Sequence, residues 1–256
     1  VAGQRTALNL AGSGAARLAR GMVLTQPGLF RDTAAVEGRL TLLPSAKALK
    51  HRAPVHFHTG AAEVIAEVRI LDPRDEIRPG ESALARFLLR HSLQLLPGDR
   101  FIVRLFSPVV TIGGGTVLEV APPERLRRAA AAERLRKIET GTAADRVSLL
   151  LRESEFGLEV AEMVARTGLT AGEIGAISAD PRIVTQNEPK AWLCDAERWE
   201  ALRAGVRSAA AAFHEEHPLE AGLPKEALRA RLFARAPAFL LDAVLAGLPG
   251  VVADGE

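Results

Sequence analysis

Three consecutive glycines, Gly113 to Gly115, constrain the fold more than any other part of this chain. They lie between two alternating apolar runs, Phe101 to Phe106 and Thr116 to Val120, which predict neighbouring strands of an antiparallel sheet. Glycine gives a strand no side chain to pack, so the backbone must take positive φ or approach another segment closely. The glycines do not open a helix, as a phosphate-binding loop would, so a tight connection in a β-barrel is favoured.

The bulk composition is that of a globular protein with a possible nucleic-acid partner. The 256 residues can form two or three small domains. The net charge is +2 and the pI about 9.0, with arginine-rich runs at 125–128 and 134–137. Arginine suits bidentate phosphate contacts. A single cysteine, Cys194, fits a reducing cytoplasm, and no apolar run reaches the roughly 20 residues that span a bilayer, so no membrane partner is expected. The chain starts at Val1 within a strand pattern, which predicts a fragment.

The residues up to about 121 carry strand patterns. Short apolar alternations separated by Pro-Gly turn signals are typical of a closed or nearly closed antiparallel barrel. Before the two runs that flank the glycines, the predicted strands are Thr6–Leu10, Gly38–Leu43, Val55–His58, Glu63–Leu71 and Ala83–Leu89.

After Pro122-Pro123 the pattern becomes helical. The alanine- and arginine-rich segment 124–139 predicts a helix without a wide apolar face, which we interpret as a solvent-bridging connector. From Ala143 onward, the order helix, helix, strand occurs twice with a spacing of about 65 residues, as in tandem winged-helix units. Thr170 and Glu173 form a capping box at the second helix of the first copy. Gly250–Asp254 is the predicted strand of the second copy.

The sequence contains no catalytic or nucleotide-binding motif. There is no Gly-x-Ser-x-Gly elbow, no Cys–His pair with supporting spacing and no Walker A loop, so no catalysis is expected. His56 and His58 share one strand face, but a metal site needs further ligands, and Cys194 is distant in sequence. We therefore favour a polar strand face over metal binding.

The winged-helix copies differ in their charge. Such units contact a duplex or folded RNA through the second helix and the wing. The second helix of the first copy, 171–178, carries Glu173 and no basic residue, which favours a spacer. The second copy opens with a basic helix and is the better candidate. Its candidate RNA contacts are Lys225, Arg229, Arg231 and Arg235.

Several segments resemble Tu-type translation factors, in the variant found in selenocysteine-specific elongation factors. Residues 2–12 and 20–28 resemble the last two strands of barrel domain 2, and 56–71 resemble the opening of domain 3. Residues 97–104 and the glycine stretch are similar to its closing segment, and winged-helix units follow in that family. The resemblance implies five regions: the end of domain 2 (1–32), barrel domain 3 (33–121), a connector helix (122–140), and winged-helix units at 141–195 and 196–256, the last with a truncated wing.

The resemblance also implies partners and site residues. The family binds GTP and Mg²⁺ in an N-terminal domain missing from this chain, so no cofactor is expected here. Domains 2 and 3 grip the tRNA, which implies selenocysteinyl-tRNA and the ribosome as partners. Arg5 stands where ordinary Tu-type factors carry an amide facing the amino-acid pocket, and a cation there suits an anionic selenolate. Arg86, Arg90 and Arg104 are candidate tRNA contacts, although alternate strand residues face opposite sides.

The sequence therefore predicts a β-barrel followed by tandem winged helices, from a cytoplasmic elongation factor that delivers selenocysteinyl-tRNA at recoded UGA codons in a GTP-dependent way. In that family the last winged-helix units recognise a hairpin in selenoprotein mRNA, and those units are mostly missing here. The alternative is a winged-helix DNA-binding regulator with a β-barrel sensing domain. A purely structural adaptor is the third possibility.

Overall fold

The computed structural model of the chain describes residues 4–10, 18–26, 32–123, 125–220, 222–246 and 248–251. The described residues divide into two compact units, one of residues up to 135 and one of residues from 136 onward. The barrel region contains β1 (Thr33–Leu42), β2 (Leu49–Lys50), β3 (Pro54–Thr59), β4 (Ala62–Ile70), β5 (Glu76–Ile77), β6 (Ser82–Leu93), β7 (Arg100–Arg104) and β8 (Thr111–Val120). Helix α1 (Arg128–Thr140) follows. Within the described ranges, no helix is long and apolar enough to cross a membrane.

Six strands form a closed antiparallel barrel in the order β1-β6-β4-β3-β7-β8, with β8 pairing back onto β1. Inward-facing residues alternate along the strands, as the sequence patterns predict. Phe57, Phe87 and Phe101 pack against one another at the centre, with ring centroids 4.9 to 5.1 Å apart. The predicted barrel is confirmed.

The three glycines lie inside strand β8 rather than in a connection between strands. None of them has positive φ. A Cβ atom on Gly115 would stand 1.7 Å from the carbonyl oxygen of Arg39, and one on Gly113 would stand 2.3 Å from that of Thr41. The expected close approach is therefore correct, but the expected connection is wrong. The glycines allow β1 and β7 to close onto β8 at a separation that no side chain would permit.

The predicted strand Thr6–Leu10 is not formed. Residues 4–10 have no regular secondary structure, and Leu8 and Leu10 are exposed. A strand needs a neighbour for its backbone groups, and no residue in the described ranges pairs with this segment. The described residues of the second domain 2 segment, 20–26, form no strand either, although Arg20 Nε donates to the Ala61 carbonyl at 3.0 Å.

The part of α1 up to Leu135 is bound to the barrel, so the expectation that this stretch bridges solvent is wrong. Arg128 donates to Asp75 Oδ1 at 3.0 Å and to the Asp72 carbonyl at 2.6 Å. Arg134 is buried and binds both carboxylate oxygens of Glu119. The sequence did not indicate these contacts because two arginines make them and the apolar residues buried beside them, such as Ala131 and Leu135, form only a narrow face.

The second unit has the element order of a winged helix. It contains α2 (Ala143–Glu153), β9 (Leu158–Glu159), α3 (Val160–Thr167), α4 (Ala171–Ile177), β10 (Ile183–Gln186) and β11 (Trp192–Asp195). The strands form a sheet in the order β10-β11-β9. Thr170 accepts from the Glu173 backbone N–H and Glu173 from that of Thr170, so the predicted capping box is confirmed.

The remaining helices pack on the other face of that small sheet. They are α5 (Ala196–Glu216), α6 (Lys225–Leu232) and α7 (Leu240–Ala246). Ile183 and Leu193 belong to the core formed with α2 to α4, whereas Trp192 and Cys194 belong to the core formed with α5 to α7. One sheet therefore serves both cores. The predicted strand Gly250–Asp254 extends beyond residue 251, outside the described ranges.

Replacing Gly115 by Ala tests the close approach in β8. We expect the variant to lose about 2 kcal/mol or more of unfolding free energy, because backbone atoms of β1 must move to admit the methyl group. Urea unfolding measures the change. The control is Gly172→Ala in α4, where a Cβ would meet no atom within 4 Å and alanine favours the helix by up to about 1 kcal/mol. Equal stability of Gly115→Ala and wild type would contradict the packing argument.

Candidate nucleic-acid interface

Strands β3 and β7 bring histidine, arginine and phenylalanine together on the outer side of the barrel. His56 pairs across the sheet with Arg104, and its ring centroid lies 4.2 Å from that of Phe106. His58 stands two residues further along β3 on the same side. We call these four residues, His56, His58, Arg104 and Phe106, the β3–β7 face.

A single carboxylate connects the two histidines. Glu63 of β4 places one oxygen 3.0 Å from His56 Nδ1 and the other 3.9 Å from His58 Nδ1. Burial lowers the pKa of His58; Glu63 opposes this shift, and Arg104, His56 and Arg20 reinforce it. Within the described ranges, His58 Nε2 and Arg104 Nε are buried atoms without a hydrogen-bond partner.

The β3–β7 face combines the side chains that bind nucleic-acid backbones and bases. Phe106 is 40% exposed and offers a ring on which a base or sugar can stack. Arg104 donates to the Val109 carbonyl at 3.3 Å, which holds its guanidinium beside the β7–β8 turn. Ile102 and Val109 add exposed apolar surface next to it. A cation fixed beside an exposed aromatic ring can contact phosphate and base together.

A groove of about 360 Å³ lies near one end of this face. Residues 21–23 and the β3–β4 turn at 59–62 form one part of its lining, and residues 93, 94, 99 and 100 form the other. Thr59 Oγ1 donates to the Arg100 carbonyl at 3.2 Å across it. Among the residues that the structure describes, no group of three His, Cys, Asp or Glu is arranged to hold a metal ion. The thiol of Cys194 is buried, and burial raises its pKa to about 11, which is the behaviour of a core residue.

The candidate arginines of the barrel have different environments. Arg104 lies in the β3–β7 face, and Arg90 is exposed on β6. Arg86 is buried: its guanidinium binds Glu37 Oε1 at 2.6 Å and the Pro123 carbonyl at 3.0 Å. Its selection as a tRNA contact is wrong, because these contacts turn it away from solvent. Arg5 is exposed and is not among the residues that line the groove.

Three of the four winged-helix candidates make contacts within the protein. Lys225 Nζ lies 2.7 Å from Asp242 Oδ1, and Arg229 donates to the Ala238 carbonyl at 2.8 Å. Arg235 pairs with Glu155 at 2.7 Å. Arg231 is exposed at the end of α6. Lys225 and Arg229 therefore link α6 to α7 and to the segment before it, while the side chain of Arg235 stays largely exposed.

The sequence reading missed His56, His58 and Phe106 as members of a common surface. The sequence predicts a polar strand face for the histidines and a strand position for Phe106, but not that they adjoin. The missing information was the pairing of β3 with β7, because these strands are about 45 residues apart and no local pattern encodes their register.

The lowered pKa of His58 predicts a pH dependence of stability. Below about pH 6.5 the unfolded chain binds a proton that the folded chain resists, so the free energy of unfolding should fall as pH decreases. In His58→Phe this decrease should be smaller, as measured by urea unfolding at several pH values. The control is His91→Gln at an exposed position of β6, which should keep the wild-type decrease. A full decrease in His58→Phe would rule out His58 as its source.

Family models and known proteins match both units. The beta-barrel domain of selenocysteine-specific elongation factor matches residues 33–124, and the winged helix of elongation factor SelB matches 207–248. A selenocysteine-specific elongation factor of Desulfomicrobium baculatum is 35% identical over 190 residues, 74% of this chain and 27% of that protein. GTP-binding protein 2 of Mus musculus is 33% identical over 121 residues, 46% of this chain and 20% of that protein.

The architecture also matches a solved structure. The crystal structure of a bacterial selenocysteine-specific elongation factor, EF-Sec, aligns over 91% of this chain and 35% of that one, with a TM-score of 0.60. At 16% identity this match concerns the fold alone. The chain spans about a quarter of the length of the Desulfomicrobium baculatum protein. Because the two family models and this relative agree, the chain belongs to the family of selenocysteine-specific elongation factors.

Proposed function

We propose that this chain supplies the tRNA-binding barrel and the winged-helix arm of an elongation factor that brings selenocysteinyl-tRNA to the ribosome at recoded UGA codons. One observation carries the proposal: the family's barrel domain coincides with the closed barrel that bears the β3–β7 face. We propose no catalysis for the chain itself, since the family binds GTP and Mg²⁺ in another domain. The DNA-binding regulator is not favoured, because both family matches are to translation-factor domains.

Within this role we assign the β3–β7 face to the tRNA backbone. Arg104 contributes the phosphate contact, and the neighbouring rings of Phe106 and His56 form a surface against which the sugar or a base packs. Arg90, on β6, is a second cation available at the barrel surface. The contact requires no base-specific hydrogen bonds, which is consistent with recognition of a tRNA stem by its shape.

Substituting Arg104 by Gln tests this assignment. The variant should bind selenocysteinyl-tRNA more weakly, and the slope of log K against log salt should fall by about one, because one phosphate contact is lost. Binding of fluorescently labelled tRNA is measured at four or more salt concentrations.

The matched control is Arg78→Gln, which removes a strongly exposed arginine that pairs with Glu76. It should leave affinity and slope unchanged. If Arg104→Gln keeps the wild-type slope, or if both variants change it equally, the β3–β7 face is not the tRNA site.

We propose that Arg5 faces the selenocysteine side chain. Its support is the chemistry of the ligand: a selenolate is an anion near neutral pH, and an arginine offers it a charge-assisted hydrogen bond. The exposed position of Arg5 is compatible with a pocket completed by other parts of a longer protein.

The Arg5 assignment predicts discrimination between aminoacyl groups on one tRNA. In the full-length protein, Arg5→Gln should weaken binding of selenocysteinyl-tRNA about tenfold or more and hardly change binding of the same tRNA carrying serine. Arg5→Lys, which keeps the charge, should lose less. An equal loss for both aminoacyl groups would show that Arg5 contacts the tRNA body instead.

We propose the division of the chain at 1–32, 33–121, 122–140, 141–195 and 196–256, with the helical part acting as a spacer toward a reader of the mRNA hairpin. The support is the charge of α4, which carries Glu173 and no basic residue, and the internal pairing of most α6 cations. We also place the protein in the cytoplasm, where the ribosome works.

A further inference from the structure

Three neighbouring strands carry a row of buried charged residues on the outside of the barrel. Glu119 of β8 is directly opposite Glu37 of β1, and Glu37 is directly opposite Arg86 of β6. Their relative exposures are 2%, 1% and 8%. The row lies outside the barrel core, because the alternate residues of these strands, such as Val36 and Phe87, point inward.

The first turns of α1 and the segment before them bind this row. Arg134 binds both oxygens of Glu119, and the carbonyl oxygen of Pro123 accepts from Arg86 Nη2 at 3.0 Å. Arg128 attaches the start of the helix to the β4–β5 connection. We call residues 125–135 the α1 strap. It brings one cation to a surface where two carboxylates already stand side by side.

The order of charges along the row is Arg134, Glu119, Glu37, Arg86. The charged groups that face Glu37 are Arg86 of β6, Glu119 of β8 and Arg134 of α1. Two adjacent carboxylates repel each other, and burial makes that repulsion stronger than it would be in water. The ends of the row are cations, so each carboxylate has a guanidinium on its outer side.

We propose that this row is an electrostatic lock that holds the α1 strap on the barrel, with Arg134 as the cation that pairs with Glu119 beside Glu37. The lock makes attachment of the strap proton-linked. Without Arg134, the repulsion between the neighbouring carboxylates is less well offset, so a proton on Glu37 is favoured and the strap is held less firmly. This inference concerns the chain alone and does not depend on RNA binding.

The test is hydrogen–deuterium exchange in Arg134→Met, which keeps most of the side-chain length and removes the charge. Amides of the α1 strap should exchange at least about tenfold faster than in wild type, while amides of β4 and β6 keep their protection. The double variant Glu119→Gln/Arg134→Met removes one carboxylate as well. It should recover part of the lost protection, because no buried carboxylate is left without its cation, but not all of it, because the ion pair that holds the strap is gone as well.

The matched control is Arg127→Met, an arginine of the same strap that is exposed. The strap amides of this variant should exchange at the wild-type rate. The stability deficit of Arg134→Met should also shrink as the pH is lowered, since a proton on Glu37 relieves the repulsion that the missing cation had offset.

Three outcomes would overturn the proposal: wild-type strap exchange in Arg134→Met, no recovery in the double variant, or a deficit that does not depend on pH. If Arg134→Met fails to fold, the proposal requires the double variant to fold, and failure of both would overturn it as well.

Discussion

The buried contact between Glu119 and Arg134 determines where the barrel ends and how the helix after it is placed. Burying charges is costly, and burial raises the pKa of Glu37 despite the guanidinium of Arg86 beside it. Desolvation thus outweighs attraction at this site. Such a row adds little net stability, but it admits only one seating of the helix, because any shift would leave a buried carboxylate without its cation. The start of α1, up to Leu135, therefore folds as part of the barrel unit.

Local sequence patterns were sufficient where the structure depends on neighbours in the chain. The alternating strands, the capping box at Thr170 and Glu173, and the close approach at Gly113–Gly115 all follow from residue types and spacing. The patterns failed where the outcome depends on distant strands. The alternation of β6 correctly predicts that Arg86 points outward, but it does not show that Glu37 and the carbonyl of Pro123, in the segment before α1, bind the side chain there. Thr6–Leu10 has the alternation of a strand but no pairing partner in the described ranges.

The candidate interface was only partly predictable for the same reason. The resemblance to barrel domain 3 and the charge of Arg104 are sufficient to make it a candidate. His56 and Phe106 became part of the interface only through the register of β3 against β7 and the course of the turn after β7. In the winged-helix region, charge alone does not show which cations already have partners. Lys225 and Arg235 each lie 2.7 Å from a carboxylate of the helical part of the chain.

The small sheet of β9, β10 and β11 limits how winged-helix units can be added to or removed from the helical part of such a chain. Trp192 donates to the Phe156 carbonyl and its ring meets that of Phe239, while Leu193 next to it packs into the opposite core. The two winged-helix units are therefore not independent of each other, because residues of one sheet belong to both cores. A second unit that began at residue 196 would lack the strand residues Trp192 and Cys194 from its hydrophobic core. Insertion, deletion or exchange of these units is therefore tolerable only when both are inserted, removed or exchanged together.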